Sequence, residues 1–171
     1  LKDYLEATNL FELVAGHQGA FGVEIHKDNI PKVIELINEQ LKDMDFTPYY
    51  EVDFVIEADD LDIVFIKAMD ELKDFYGQGI EESLVYINNI KINKSDINLM
   101  GKNSDTIKFT YNDEIIFIKF KVNENDLILK WLNDWENDDE FIVINVIGKA
   151  GLNNFNGILT PQVIIEDYQV I

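Results

Sequence analysis

The second half of the chain is patterned with period two. From position 84 onward, apolar and polar side chains alternate in short runs, as they do in strands that bury one face. Asn112 and Asp113 interrupt the pattern as a hairpin turn, and Asn125 or Asp126 can cap a short helix. The pattern therefore predicts strands at 84–93, 97–100 with 106–111, 115–122, 141–147 and 158–168.

The first 46 residues show helical spacing around one short strand. Positions 1–12 predict a short helix and positions 21–25 a strand. The clearest helix runs from Asn29 to Met44, with Pro31 in its first turn and its apolar side chains on one face. We expect that face to pack against a core. Asp28 or Asn29 is expected to cap this helix.

A strand and a helix follow a break at Thr47-Pro48, a step that disfavours helix. Apolar residues alternate with acids over 51–57, and Asp59 or Asp60 is expected to cap the next helix. A cluster of acids here could be mistaken for a metal site: Glu57, Asp59, Asp60 and Asp62. The cluster has no histidine and lies where a helix dipole favours negative charge. We interpret them as structural.

The order of elements indicates the fold class. The break near Pro48 and the change of period near 83 divide the chain into 1–46, 47–82 and 83–171. The last part has three strands, a helix and two more strands, which is the order of an OB-fold barrel. We therefore predict an α+β protein: a small α/β part, a strand–helix connector and a C-terminal barrel. OB-folds commonly bind single-stranded nucleic acid across their second and third strands.

Alternation assigns faces to the central hairpin of this barrel. The predicted inward set is Ile107, Phe109 and Tyr111 together with Ile116, Ile118 and Phe120, which leaves a mixed polar and aromatic set on the outer face. Lysine can bind phosphate, threonine can hydrogen-bond and an aromatic ring can stack on a base. The alternative is that the lysines only keep an exposed sheet soluble. The predicted outer face consists of Thr106, Lys108, Thr110, Phe117, Lys119 and Lys121.

Charge argues against nucleic acid for the chain as a whole. Its 171 residues carry 33 acids against 14 lysines and no arginine, a net charge of −19, which repels a polyanion. Within 91–121, however, six lysines face four acids. Two interpretations stay open: a barrel that binds single-stranded DNA, or an acidic interaction module that binds a basic protein partner. No cysteine and no run of eighteen apolar residues occur, so we expect a cytoplasmic protein without a membrane anchor.

The segment 15–22 is rich in glycine and contains one of the two histidines. Glycines allow close backbone approach, and an imidazole can donate to a phosphate oxygen or move a proton near neutral pH. The segment is therefore a candidate phosphate-handling loop, and the alternative is a tight turn with a structural histidine. The candidate substrate-binding residues here are Gly16, His17, Gly19 and Gly22.

Two motifs resemble those of a known family of phosphoesterases. The run Gly16-His17-x-x-Ala20-Phe21-Gly22 resembles the glycine–histidine segment of the domain that accompanies DHH-type phosphoesterases, with Val14 and Ala15 in place of two of its glycines. The run Phe75-Tyr76-Gly77-Gln78-Gly79 and the order of elements after residue 50 resemble the C-terminal part of RecJ-type single-strand-specific exonucleases. The proline-rich run of that family is absent after Gly79.

The resemblance carries expectations about function. It implies that residues 1–46 end a DHH-associated domain, that an OB domain follows, and that the parent enzyme is a metal-dependent phosphodiesterase acting on single-stranded DNA in repair or recombination. Mg²⁺ or Mn²⁺ would belong to a catalytic DHH domain that this chain lacks. His17 would face the scissile phosphate in the complete enzyme, which makes it the one candidate catalytic residue. The chain alone would then guide substrate without cleaving it and would hold no metal.

Overall fold

A computed structural model describes residues 1–45, 47, 49–134 and 139–171. It divides into two compact units, Leu1–Tyr49 and Tyr50–Ile171. Pro48, on which the expected break rests, lies outside the described residues. In the described part of the chain, no helix is long and apolar enough to cross a membrane.

The first unit is a hairpin with two helices. Helix α1 spans Lys2–Ala7, strands β1 and β2 span Leu13–His17 and Ala20–Glu24, and α2 spans Ile30–Leu41. The predicted helix over 1–12 is wrong after Ala7, because Asn9 takes a left-handed conformation (φ 55°) that ends it. The glycine–histidine segment was predicted to be a loop, and this is wrong. Its residues form two antiparallel strands joined by the two-residue turn Gln18-Gly19.

Helix α2 is amphipathic but does not face a core. A short 3₁₀ turn, Lys27–Asn29, precedes it, and Nδ1 of His26 accepts from the backbone N–H of Asp28 at 3.4 Å. Asn29 instead donates to the carbonyl of Leu10, so its side chain does not cap the helix. None of the described α2 side chains is buried, and Ile34 is 55% exposed. The expected burial of the apolar face of α2 is therefore not found in the described first unit.

The second unit is a seven-stranded sheet with two helices. Antiparallel pairing joins neighbouring strands, except that β3 runs parallel to β4 and β7 runs parallel to β9. The strand order is β3-β4-β8-β9-β7-β6-β5. The elements are β3 Phe54–Glu57, α3 Ile63–Glu71, β4 Val85–Asn93, β5 Asn98–Met100, β6 Thr106–Tyr111, β7 Ile115–Phe120, α4 Leu127–Asn133, β8 Phe141–Phe155 and β9 Ile158–Val170.

The inner order, β4-β8-β9-β7-β6, is that of an OB-fold, so the predicted α+β class with a C-terminal barrel is confirmed. The strand–helix segment joins the same unit: β3 extends the sheet, and Ile66 and Met69 of α3 enter the core. The helix begins one turn later than predicted. Asp62, and not Asp59 or Asp60, is its N-cap, and Oδ1 accepts from the N–H of Phe65 at 2.8 Å.

The core lies between the inner face of the sheet and the two helices. Phe109 and Phe117 stack in parallel at its centre, with ring centroids 4.9 Å apart. Such a pair contributes about 0.5–1.5 kcal/mol beyond the burial of its surface. Trp131 of α4 is buried at the edge of this core. Isoleucine and valine from the central strands fill the remainder, including Val85, Ile87, Ile90, Ile92, Ile107, Ile115, Ile144, Val146 and Val163.

Hydrogen bonds from α3 and from the 3₁₀ turn that follows it, Leu72–Phe75, complete the edge of β8 beyond its pairing with β4. Asp70 accepts from the N–H of Leu152 at 2.7 Å, and Lys73 donates to the carbonyl of the same residue at 3.2 Å. Burial acts to raise the pKa of Asp70, but the hydrogen bonds from Lys73 and Leu152 outweigh it and hold that pKa below its usual value. The helix therefore stabilises the outer part of β8.

Candidate nucleic-acid interface

The register of β6 and β7 defines the faces of the central hairpin. Phe109 lies opposite Phe117, Lys108 opposite Ile118, and Thr106 opposite Phe120. Residues directly opposite each other in an antiparallel pair share a face. The buried face therefore carries Phe109 and Phe117, and the outer face consists of Thr106, Lys108, Thr110, Ile116, Ile118 and Phe120.

The predicted outer face is correct on β6 and wrong on β7. Phe117 is fully buried, at 0% exposure, and cannot stack on a base. Phe120 was predicted to point inward, and this is wrong, since it is 53% exposed on the outer side. The reason is the connection between the strands. A two-residue turn at Asn112-Asp113 would pair Tyr111 with Glu114, but the structure pairs Tyr111 with Ile115. The third loop residue shifts the phase by one and exchanges the faces of β7.

Lys119 belongs to a buried polar network and not to the outer surface. Its ammonium lies 2.9 Å from Oδ2 of Asp126 and 4.3 Å above the ring of Tyr168, and its side chain is 19% exposed. The Tyr168 hydroxyl donates to Oδ1 of Asp126 at 2.6 Å. That oxygen also accepts from the N–H groups of Ile128 and Leu129 at the start of α4. The network fixes α4 against the end of the barrel, so Lys119 is placed to stabilise the fold.

Tyr168 is the strongly perturbed group of this network. Burial raises the pKa of its phenol far above the usual value, and the hydrogen bond to Asp126 raises it further. The neutral phenol is therefore the form that the folded protein favours. In that form the hydroxyl can donate its hydrogen bond to Asp126.

The remaining cations of the predicted face are Lys108 and Lys121. Lys108 lies on β6 between the two outer-face threonines. Lys121 follows β7 in a left-handed conformation (φ 58°) and is exposed. No carboxylate occurs within Thr106–Tyr111 or Ile115–Phe120, in contrast to the acidic chain around them. The outer face thus combines lysine, threonine, isoleucine and one exposed aromatic ring.

The glycine–histidine hairpin forms the second candidate site, within the first unit. Gly16 is required there: its φ is 129°, and a Cβ atom would lie 2.6 Å from the carbonyl oxygen of Ala20. Gly19 and Gly22 have open space where a Cβ would be, so close approach does not require them. His17 ends β1, opposite Ala20, with its side chain exposed. An exposed imidazole beside a tight turn is accessible to a phosphate group.

The metal implied by the resemblance has no matching ligands in the described ranges. No group of three or more histidine, cysteine, aspartate or glutamate side chains is placed to hold an ion there. The carboxylate of Glu57 is occupied by Asn88 and Asn89, which donate to its two oxygens at 2.9 Å each. Asp62 is occupied as a helix cap. These described residues therefore do not fit Mg²⁺ or Mn²⁺.

The strand order defines the second unit as an OB domain. Comparison with known proteins agrees with that class. The model of the family described as "RecJ OB domain" matches residues 52–167, so the chain belongs to the RecJ OB domain family.

Similarity extends beyond that domain. The sequence is 38% identical to a Bacillus subtilis (strain 168) protein named "Putative SPbeta prophage-derived single-strand DNA-specific exonuclease YorK". That alignment is 176 residues long and covers 100% of this chain. The sequence is 24% identical over 172 residues to the single-stranded-DNA-specific exonuclease RecJ of the same strain. The chain spans 30% and 20% of these two proteins.

A solved structure shows the same fold. The crystal structure of RecJ in complex with Mn²⁺ from Thermus thermophilus superposes with a TM-score of 0.62 at 20% sequence identity. The superposition covers 98% of this chain and 23% of that one. The recognition of a RecJ-type C-terminal portion from the sequence is therefore confirmed.

Proposed function

We propose that this chain binds single-stranded DNA along the outer face of β6 and β7 and guides it within a RecJ-like exonuclease. The observation that supports the proposal most directly is the exposed Phe120, which shares a face with Lys108, Thr106 and Thr110. An aromatic ring offers a stacking surface to any base, and the lysine offers a phosphate contact, which suits binding without sequence preference.

Local charge supports this assignment despite the net charge of −19. The acid-free strands β6 and β7 form a surface where a phosphate chain meets less repulsion than elsewhere. Lys108 and Lys121 can make about two phosphate contacts, since Lys119 is bound to Asp126. At about 0.7 per contact for single strands, the log–log salt slope should be about −1.4. Binding should therefore be weak and only moderately sensitive to salt.

Fluorescence anisotropy with labelled oligothymidylate tests this interface at low ionic strength. Phe120→Ala should weaken binding about 5- to 150-fold, the effect of losing one base–aromatic stack. Phe141→Ala is the matched control: that ring is exposed to a similar degree on β8, which β9 separates from β7. Lys108→Gln should reduce the salt slope by about 0.7, whereas Lys130→Gln, on α4, should not.

Two results would reject the interface. If Phe120→Ala and Phe141→Ala reduced oligothymidylate affinity equally, the effect would not be specific to the face of β6 and β7. If the unmodified chain did not bind even at low ionic strength, the alternative function, an acidic module for a basic protein partner, would be supported instead. Phe120, Phe141 and Lys130 are exposed and Lys108 is half-buried on the outer side, so circular dichroism should show an unaltered fold.

Cleavage is a separate part of the proposal. We assign it to the longer protein, as a metal-dependent hydrolysis with Mg²⁺ or Mn²⁺ outside this chain, and we assign His17 a contact to the phosphate there. Its exposure at the end of β1 supports that role. Action in repair or recombination, in the cytoplasm, completes the proposal.

A further inference from the structure

The β8–β9 hairpin projects beyond the rest of the sheet. Ile116, next to the start of β7, lies opposite Gln162 of β9, but β9 begins at Ile158, four residues earlier. Because β7 begins one residue before Ile116, the extension beyond β7 is about three residues, or roughly 10 Å at about 3.3 Å per residue. β8 pairs with β9 along this whole extension, up to Phe155 opposite Ile158. The projection is therefore an ordered ribbon with a short turn at Asn156-Gly157.

One face of this ribbon continues the outer face of β7. Side chains alternate between the faces of a strand, so Gln162, Thr160 and Ile158 lie on the same side as Ile116. Phe155, directly opposite Ile158, lies on that side as well. Counted along β7 and β9 from Phe120, the shared face extends over eight residues, or about 26 Å.

The tip of the ribbon is exposed, apolar and free of acid. Phe155 and Ile158 are 69% and 68% exposed. Residues 141–165 contain no aspartate or glutamate, the longest such run in a chain with 33 acids. The one charged residue of that run, Lys149, forms ion pairs with Glu82 and Glu166 near the base of the ribbon. The tip is thus a neutral platform with an unobstructed aromatic ring.

We propose that Phe155, with Ile158 beside it, is a second base-stacking site that extends the path of single-stranded DNA from Phe120 along the projecting hairpin. The inference rests on the proposed function. Continuity of the face and the lack of carboxylates in residues 153–160 at the tip favour a polyanionic strand over a basic protein partner, which acids would attract. Asp70, at the edge of β8 beside Leu152, is paired with Lys73. A strand that reaches both rings stacks on each, while a short strand occupies the Phe120 end, where the lysines lie.

Oligonucleotide length separates this site from the first. OB-folds bind about 4 to 16 nucleotides, so oligothymidylates of about 4 and about 16 nucleotides serve as short and long probes. Phe155→Ala should weaken binding of the long probe about tenfold and leave the short one unchanged. Phe155→Trp should retain long-probe affinity, Phe120→Ala should weaken both probes, and Phe141→Ala neither.

Each alternative outcome is distinguishable. If Phe155→Ala leaves both probes unchanged while Phe120→Ala weakens them, the inference is overturned and the proposed interface remains. The same result, accompanied by a change in self-association on sedimentation, would identify the tip as a protein contact. If the unmodified chain binds neither probe, the proposed function itself fails. A loss from Phe155→Ala that is equal for both lengths also contradicts a second, distal site.

Discussion

Replacing Asp126 should be the most damaging single change at the polar network of the barrel. Its carboxylate is 4% exposed and serves three partners: the backbone at the start of α4, the Tyr168 hydroxyl and the Lys119 ammonium. Asp126→Ala removes a helix N-cap, worth about 1 kcal/mol. It also leaves Lys119 without its counter-ion in a mostly buried position, and breaking a buried pair in this way costs about 3–5 kcal/mol.

The comparison with Lys119→Met makes the prediction specific. Methionine fills the space of the lysine stem and removes the charge, while Asp126 keeps its hydrogen bonds to α4 and Tyr168. We therefore expect Asp126→Ala to lower the free energy of unfolding by about 4–6 kcal/mol. Lys119→Met should lower it by less than half as much, because the hydrogen bonds from α4 and Tyr168 still stabilise the buried carboxylate.

Urea denaturation followed by tryptophan fluorescence measures both effects, because the buried indole of Trp131 on α4 reports on this end of the barrel. Equal costs for the two changes, or a cost below about 1 kcal/mol for Asp126→Ala, would refute the view that the network holds α4 in place. An unchanged m-value is the check that the comparison is between two-state transitions.

Three further predictions concern pH, catalysis and His17. Since burial and the bond to Asp126 raise the pKa of Tyr168, the fold favours the neutral phenol; its stabilisation should be complete below pH 10.0, the ordinary value, and should fall as pH rises above it. Tyr168→Phe should remove that alkaline loss in urea titrations between about pH 8 and 11, and an unchanged slope would contradict the assignment. The chain alone should not cleave single-stranded DNA with Mg²⁺ or Mn²⁺; repurified activity abolished by a point change in this chain would disprove this. His17→Ala should alter the stability of the chain by less than about 0.5 kcal/mol, because the side chain is exposed, yet lower turnover of the complete enzyme about 10²- to 10³-fold in single-turnover assays. The reverse pattern, a destabilised chain in an unimpaired enzyme, would make His17 structural.

Local patterning was sufficient for the order of elements and for the class of fold. Alternation over β4, β6 and β9, and the helix around Trp131, can be predicted because each strand or helix needs its own periodic apolar face. The motif around His17, the run ending at Gly79 and the order of elements after residue 50 together indicated the family, and the first two are local in the chain. The need for glycine at position 16 also follows from a local event, the close approach of two strands.

The faces of β7 were decided by the tertiary structure. Five of its six residues are apolar, so polarity alone does not set their phase, and only the three-residue connection from Tyr111 to Ile115 does. The same applies to Lys119, because Asp126 and Tyr168, which hold it, are 7 and 49 positions further along the chain. Helix α2 is the opposite case. Its sequence pattern predicts an apolar face packed against other residues, but no α2 side chain is buried in the described first unit.

The projecting hairpin depends on tertiary structure for a related reason. The sequence pattern predicted separate strands at 141–147 and 158–168, because Gly148, Gly151 and the asparagines interrupt the alternation. Pairing between β8 and β9, and the bonds of Asp70 and Lys73 to Leu152, extend the first strand to Phe155. An isolated segment has its own preference for a strand, but only its neighbours determine how far that strand continues and which face it presents.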